Sequence, residues 1–262
     1  MNYSMGNMKI QQIFYKNTLR NFCYLIRFDD GAIYCIDPFG GGEVLSALKG
    51  HTLQAILNTH DHCDHWSGNE VLIREYDCDV MAHNEAKVPG KTKSLGHGDI
   101  VHQAGEWQLE AVFAPGHTMS HLCFLMKKSG APYALFTGDC FFNAGVGNCH
   151  NGGSAPVLYQ TISELFSKWP DELLIYPGHE YLKRNLQFTI HCEPDNAKAG
   201  EFLNRIQGQN LDEIFYINTM HTEREFNTFL RLNNSTIKKT LNLESADPEK
   251  VFLTLREWRN KW

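Results

Sequence analysis

One stretch of the chain limits its fold more than any other. Asn58-Thr59-His60-Asp61-His62-Cys63-Asp64-His65 carries three histidines and two aspartates in six residues, directly after the apolar run Ala55-Ile56-Leu57. Neutral imidazole and carboxylate are the ligands of zinc, and of iron or manganese. Burying so many of them is costly without a compensating charge. His60 and His62 are two residues apart, so in extended backbone they point the same way. Asp64 and His65, adjacent at a loop-to-helix transition, can face a second point a few ångströms on. One short loop can therefore serve two neighbouring metals, provided the fold holds it at a strand end and supplies further ligands.

Three other segments offer those ligands. Gly116-His117 follows Val112-Phe113, Gly138-Asp139 follows Ala134-Leu135-Phe136, and Gly178-His179 follows Leu173-Leu174-Ile175. In each, a glycine that permits tight backbone immediately precedes the polar residue. Asp37, in Tyr34-Cys35-Ile36-Asp37-Pro38, ends another strand. It either accepts a hydrogen bond from a ligand histidine, fixing its tautomer, or simply terminates the strand in a turn. Cys63 alternates away from His60 and His62 and is expected to pack rather than ligate. His121 is expected near the ligands without being one.

The order of these motifs, THDHCDH, PGHT, TGD and PGHEY, resembles the metallo-β-lactamase superfamily. The resemblance implies an α/β fold, a four-layer αββα sandwich. It also implies two divalent metal ions, zinc first, with iron or manganese as alternatives. By the same resemblance His60, His62 and His117 hold the first ion, Asp64, His65 and His179 the second, and Asp139 bridges them. Asp64 and Asp139 are thereby expected to serve catalysis, and Asp61 is not expected to ligate. Pro177-Gly178-His179-Glu180-Tyr181, then Glu193-Pro194-Asp195-Asn196 and Glu223-Arg224-Glu225-Phe226-Asn227-Thr228-Phe229-Leu230-Arg231, narrow the similarity to glyoxalase II, the hydroxyacylglutathione hydrolase family. That family implies hydrolysis of a thioester such as S-D-lactoylglutathione to a 2-hydroxy acid and free thiol. It also implies a C-terminal helical domain, with Tyr181 and Arg231 as substrate contacts. The stretch Gly147-Asn148-Cys149-His150 departs from the family pattern: Asn148 stands for a basic residue and His150 for an aromatic one. Both are candidate substrate contacts that shift preference toward another thiol or acyl group. The alternatives are a persulfide dioxygenase with a single iron and another hydrolase of the same fold, such as a lactonase.

The rest of the chain agrees with a small-molecule enzyme. A formal net charge of -6 over 262 residues argues against a general nucleic-acid binder. Eight cysteines without a CxxC pair, an N-terminus lacking a signal peptide's apolar core, and the absence of any long apolar run lead to the expectation of a cytoplasmic protein off the membrane. Short Ile-, Val-, Phe- and Tyr-rich runs predict strands from Ile10 to Tyr176, with helices at Gly42–Leu48, Asn69–Glu75 and Pro156–Lys168. Helix signals take over afterwards, which predicts a catalytic domain over 1–181 and a helical substrate-binding domain over 182–262. Asp247-Pro248 should start the last helix, with Val251, Leu255, Trp258 and Trp262 as its packing face.

Overall fold

A computed structural model describes residues 8–262; the reading of the extreme N-terminus falls mostly outside the described residues. Two compact units emerge. One runs up to Phe113 and resumes over Ser120–Gly138; the other consists of Ala114–Met119 and Asp139–Trp262.

The first unit opens with β1 (Lys9–Phe14), β2 (Phe22–Arg27) and β3 (Ile33–Ile36), paired antiparallel. The helix α1 (Gly41–Leu48) then crosses to β4 (Ala55–Leu57), and α2 (Asn69–Tyr76) crosses to β5 (Asp79–His83), followed by β6 (Lys93–Leu95). From β3 to β5 the pairing is parallel, as strands joined by crossover helices require, and β6 pairs parallel to β5 after a loop. Val44, Leu48 and Leu72 of the helices bury with Cys23, Leu25, Cys35, Ile56 and Val80 of the sheet, so the helices cover one face. The other face carries Tyr24, whose ring lies 5.2 Å from Phe136 of a second sheet. That sheet is the antiparallel meander β7 (Ile100–Ala104), β8 (Trp107–Phe113), β9 (Leu122–Lys128) and β10 (Ala131–Gly138). With both faces covered, β2 is buried from Phe22 to Ile26 rather than alternating.

The second unit contains two short strands, β11 (Phe141–Phe142) and β12 (Gly145–Val146), paired as a hairpin. The helix α3 (Ala155–Glu164) follows, then β13 (Leu174–Pro177), α4 (Leu182–Cys192) and α5 (Ala197–Ile206). Next come β14 (Asn218–Thr219), paired with β13, and α6 (Met220–Phe226), α7 (Ser235–Thr240) and α8 (Pro248–Lys261). Side chains cap four of these helices: Asn196 for α5, Thr219 for α6, Asn234 for α7 and Asp247 for α8. Aromatic rings fill the interior, with Phe141 stacked on Phe166 at 4.8 Å and Phe229 edge-on to Phe252 at 5.2 Å.

Two expectations are corrected. The helix expected over Pro156–Lys168 ends at Glu164, and only a 3-10 turn continues over Phe166–Lys168. The packing face of α8 is Val251, Phe252, Leu255 and Arg256, whereas Trp262 is 40% exposed. Val251 and Leu255 lie on the expected face, but the buried stripe is completed by Phe252 and Arg256 rather than by Trp258 and Trp262. Leu255→Ala is expected to cost about 2–5 kcal/mol and Trp262→Ala under about 1 kcal/mol in chemical denaturation; equal losses would reject the observed face.

Candidate metal centre

The first unit places its ligand-bearing loop at the C-terminal ends of two adjacent parallel strands. Asp37 ends β3 in left-handed backbone (φ 52°), its N–H donating to Leu57 O. That turns the carboxylate onto the loop leaving β4. Asp37 Oδ1 accepts from the Thr59 N–H (2.8 Å), and Oδ2 accepts from Thr59 Oγ1 (2.6 Å) and lies 2.9 Å from His65 Nδ1. Thr59 Oγ1 is in turn 2.9 Å from His60 Nδ1. An ionised carboxylate only accepts, so the Thr59 hydroxyl donates to Asp37 and receives the His60 Nδ1–H. Both rings are thus held as Nδ1–H tautomers, leaving Nε2 as the lone-pair nitrogen. Ligand atoms of Asp37, His60 and His65 lie within 4.8 Å of one another.

The loop itself is stapled by asparagines. Asn58 Nδ2 donates to His65 O (2.7 Å), and Asn69 Nδ2 donates to Asn58 Oδ1 (2.8 Å). Asn21 Nδ2 donates to Asp64 Oδ2 (2.9 Å), with the other Asp64 contact at its backbone oxygen (3.2 Å). The ring of His62 sits 4.6 Å from that of His60, and the buried ring of His121 stacks on His60 at 5.0 Å. Cys63 is exposed. Asp61 accepts from Lys87 N and Trp66 Nε1, the latter through its backbone oxygen.

The second unit gathers His117, Asp139 and His179. Asp139 Oδ2 lies 3.1 Å from His179 Nε2 and 3.5 Å from His117 Nε2, so one carboxylate oxygen is shared between two imidazoles. All three residues are under 10% exposed. His117 Nδ1 lies 2.6 Å from Asn148 O and, facing a carbonyl, must donate to it. Three close backbone approaches make this possible. A Cβ on Gly116 (φ 137°) would sit 2.4 Å from Leu158 Cα, one on Gly147 2.0 Å from Asp139 O, and one on Gly153 2.2 Å from His117 O. The ring of His179 stacks on Tyr181 at 5.0 Å, nearly parallel, and Phe142 stands edge-on to both.

The donor set suits divalent cations: His60, His65 and His117 each have Nδ1 engaged by protein, and carboxylates sit beside Nε2 of His65 and of His117. Asn148 and His150, expected at the substrate, are exposed, and Tyr181 is half-buried. The Arg231 guanidinium is engaged inside the protein. It donates to both oxygens of the buried Glu193, which raises its pKa, and to Arg224 O. Sequence reading missed Asn21, Thr59 and Asn58 as partners of the ligands, although Thr59 opens the motif and Asn58 precedes it. It also missed a group of arginines, Arg184, Arg256 and Arg259. Burial and the neighbouring Arg259 lower Arg256 to about 10; burial, then Arg184, lowers Arg259. The i, i+3 pair of arginines on α8 was the available signal.

The metallo-β-lactamase superfamily matches residues 17–179, and the hydroxyacylglutathione hydrolase C-terminus matches residues 180–262. A hydroxyacylglutathione hydrolase of Nitrosococcus oceani is 41% identical, covering 97% of this chain and 100% of the relative. One of Polaromonas sp. is 38% identical with the same coverage. Among solved structures, a metallo-β-lactamase from Staphylococcus aureus subsp. aureus COL is similar in fold, with a TM-score of 0.66 at 22% identity over 97% of this chain and 72% of that one. ETHE1 from Myxococcus xanthus has a TM-score of 0.62 at 23% identity, over 96% and 98%. The α/β class, with mixed sheets, flanking helices and a helical C-terminal part, is that of the metallo-β-lactamase fold.

Asn tolerates left-handed backbone as Asp does, so Asp37→Asn removes the charge and the acceptor pattern without straining the turn. Metal affinity, measured by chelator competition, is expected to fall about 10–100-fold. Wild-type affinity in a folded Asp37→Asn protein would show that the tautomers do not depend on this carboxylate.

Proposed function

The chain belongs to the hydroxyacylglutathione hydrolase family of the metallo-β-lactamase superfamily, and on that premise we propose that it hydrolyses a hydroxyacylglutathione, with S-D-lactoylglutathione as the first substrate to test, at a centre of two divalent ions. Zinc is the ion favoured, on an imidazole- and carboxylate-rich donor set. In this reading His60, His62 and His117 serve one ion, Asp64, His65 and His179 the other, and Asp139 both. The observation that carries it is the Asp139 carboxylate oxygen shared between His117 and His179. A carboxylate with two flanking imidazoles is the arrangement a bridging ligand needs.

Ions bound there would polarise the thioester carbonyl and bring the pKa of a water molecule near neutrality. The protein residues do the rest. Asp37, Thr59 and Asn148 O keep three imidazoles in the tautomer that offers Nε2. Tyr181 and Phe142 wall the ring of His179 and limit water on that side. A thiolate leaves readily, so no protein acid is required.

Residues 182–262 are proposed as the helical substrate-binding domain, following the catalytic domain of 1–181. Tyr181, Asn148, His150 and Arg231 are the proposed contacts to the thiol portion. Because Glu193 engages Arg231, the arginines at 184, 256 and 259 are added as the cations an anionic conjugate would meet. The substrate class is a small molecule rather than nucleic acid. A cytoplasmic location is proposed on eight cysteines that form no disulfide; among the described residues no helix is long and apolar enough to cross a membrane.

Purified protein of measured metal content should release free thiol from S-D-lactoylglutathione. Asp139→Ala should lose bound metal and at least about 100-fold in kcat together, exceeding the effect of a group that merely supports a ligand. Full activity in that variant, or no thioester cleavage by metal-loaded wild type, would reject the reading.

A further inference from the structure

The second unit contains a second, less obvious construction. Five consecutive residues, 143 to 147, each have a backbone group held by a side chain from the helical C-terminal part. Asn143 O accepts from Asn185 Nδ2 (2.9 Å), and Ala144 N–H donates to Glu223 Oε2 (2.8 Å). Gly145 O accepts from Asn227 Nδ2 (3.3 Å), and Val146 O and Gly147 O accept from Arg256 Nη1 (2.6 and 3.1 Å). The Asn143 side chain adds a bond to Tyr216 O (2.8 Å). Ala144 has left-handed backbone (φ 59°), a conformation an alanine does not hold by itself. The end of the segment and the residue after it touch the centre: Gly147 lies against Asp139 O and His117 Nδ1, and Asn148 O receives the His117 Nδ1–H.

We infer that the C-terminal helices shape the candidate metal centre itself, by clamping the backbone of 143–147 and thereby aiming Asn148 O at His117, with Glu223 as the positioning residue at the middle of the clamp. The inference rests on the reading of His117 as a metal ligand. Glu223 is fully buried and its carboxylate accepts three N–H groups, from Ala144 N, Asn218 Nδ2 (2.7 Å) and Asn227 Nδ2 (3.0 Å). Asn227 is fixed in its orientation, since its Oδ1 accepts from Phe229 N and its Nδ2 also serves Gly145 O. An amide at position 223 of the same shape would bring an NH2 group either against the Ala144 N–H and the fixed Asn227 amide or against Asn218 Nδ2. The segment would then lose a central anchor, and the carbonyl of Asn148 its aim.

The test compares wild type, Glu223→Gln and the milder Asn185→Ala. In metal-free protein, nitrogen-15 NMR of the histidine rings reports the His117 tautomer, assigned with a His117→Gln spectrum. Zinc affinity is measured by chelator competition, and kinetics with S-D-lactoylglutathione separate kcat from KM. The expected result for Glu223→Gln is loss of the pure Nδ1–H signal of His117. One of two zinc ions should be weakened about 10–100-fold, with kcat lowered and KM within about twofold. Asn185→Ala should move the same readouts less, and it supplies the answer if Glu223→Gln does not fold. An unchanged tautomer and zinc affinity in a folded variant, or a change in KM alone, would overturn the inference. Failure of wild type to cleave the thioester would instead reject the substrate reading, while the tautomer and zinc readouts would still decide the positioning role.

Discussion

The metal-facing chemistry of the first unit depends on where two protons sit, and one carboxylate decides both. Asp37 can only accept, so its contacts fix the direction of every bond in the chain Asp37–Thr59–His60 and in the bond Asp37–His65. Were Asp37 neutral or absent, Thr59 Oγ1 could donate to His60 Nδ1 instead, and the ring's proton would move to the nitrogen a metal needs. The arrangement is available only because the chain turns through left-handed backbone at the end of β3. A buried carboxylate with three short partners is stable there because each partner is a donor that would otherwise be unsatisfied.

The second unit meets the same requirement with a backbone carbonyl. Asn148 O has no side chain to be chosen for the task, so its aim is a property of the segment that carries it. The glycines at 116, 147 and 153 show how little room that leaves: a methyl group at any of them would fall within 2.4 Å of backbone or side-chain atoms around His117. A ligand aimed by a carbonyl therefore needs the carbonyl's own chain to be held by others, and that is the work of side chains from α4, α6 and α8.

What was legible in the sequence was local. The run from His60 to His65 sits within one loop and declares its chemistry by composition. The strands around it are apolar and punctuated by Gly, Asp and Pro. The partners of the ligands were harder to read. Asn21 reaches Asp64 across 43 residues, and Glu223 reaches Ala144 across 79; neither contact has a spacing rule. Asp37 was ambiguous because a strand-ending aspartate and a histidine-orienting aspartate look alike until the turn angle is known. The short strands β6 and β7 carry Lys93, Ser94, His102 and Gln103 and so give little apolar alternation.

Arg231 marks the sharpest limit of reading charge from sequence. Its neighbours suit a family position for a substrate carboxylate, and what they do not reveal is its pairing with Glu193, which is 2% exposed and also accepts from Asn234 and Asn196. Removing that guanidinium would strand a buried carboxylate, so Arg231 is tied to the fold. Arg256 differs, because its bonds go to two carbonyl oxygens and to Asn260 Oδ1, neutral groups that leave its charge uncancelled. Arg259 likewise donates to the neutral Asn185 Oδ1. Burial disfavours both cations, and an uncancelled cation in a partly dry environment attracts an anion more strongly than one in water. On α8, then, Arg256 both holds the carbonyl oxygens of Val146 and Gly147 and carries a charge that these neutral partners do not offset.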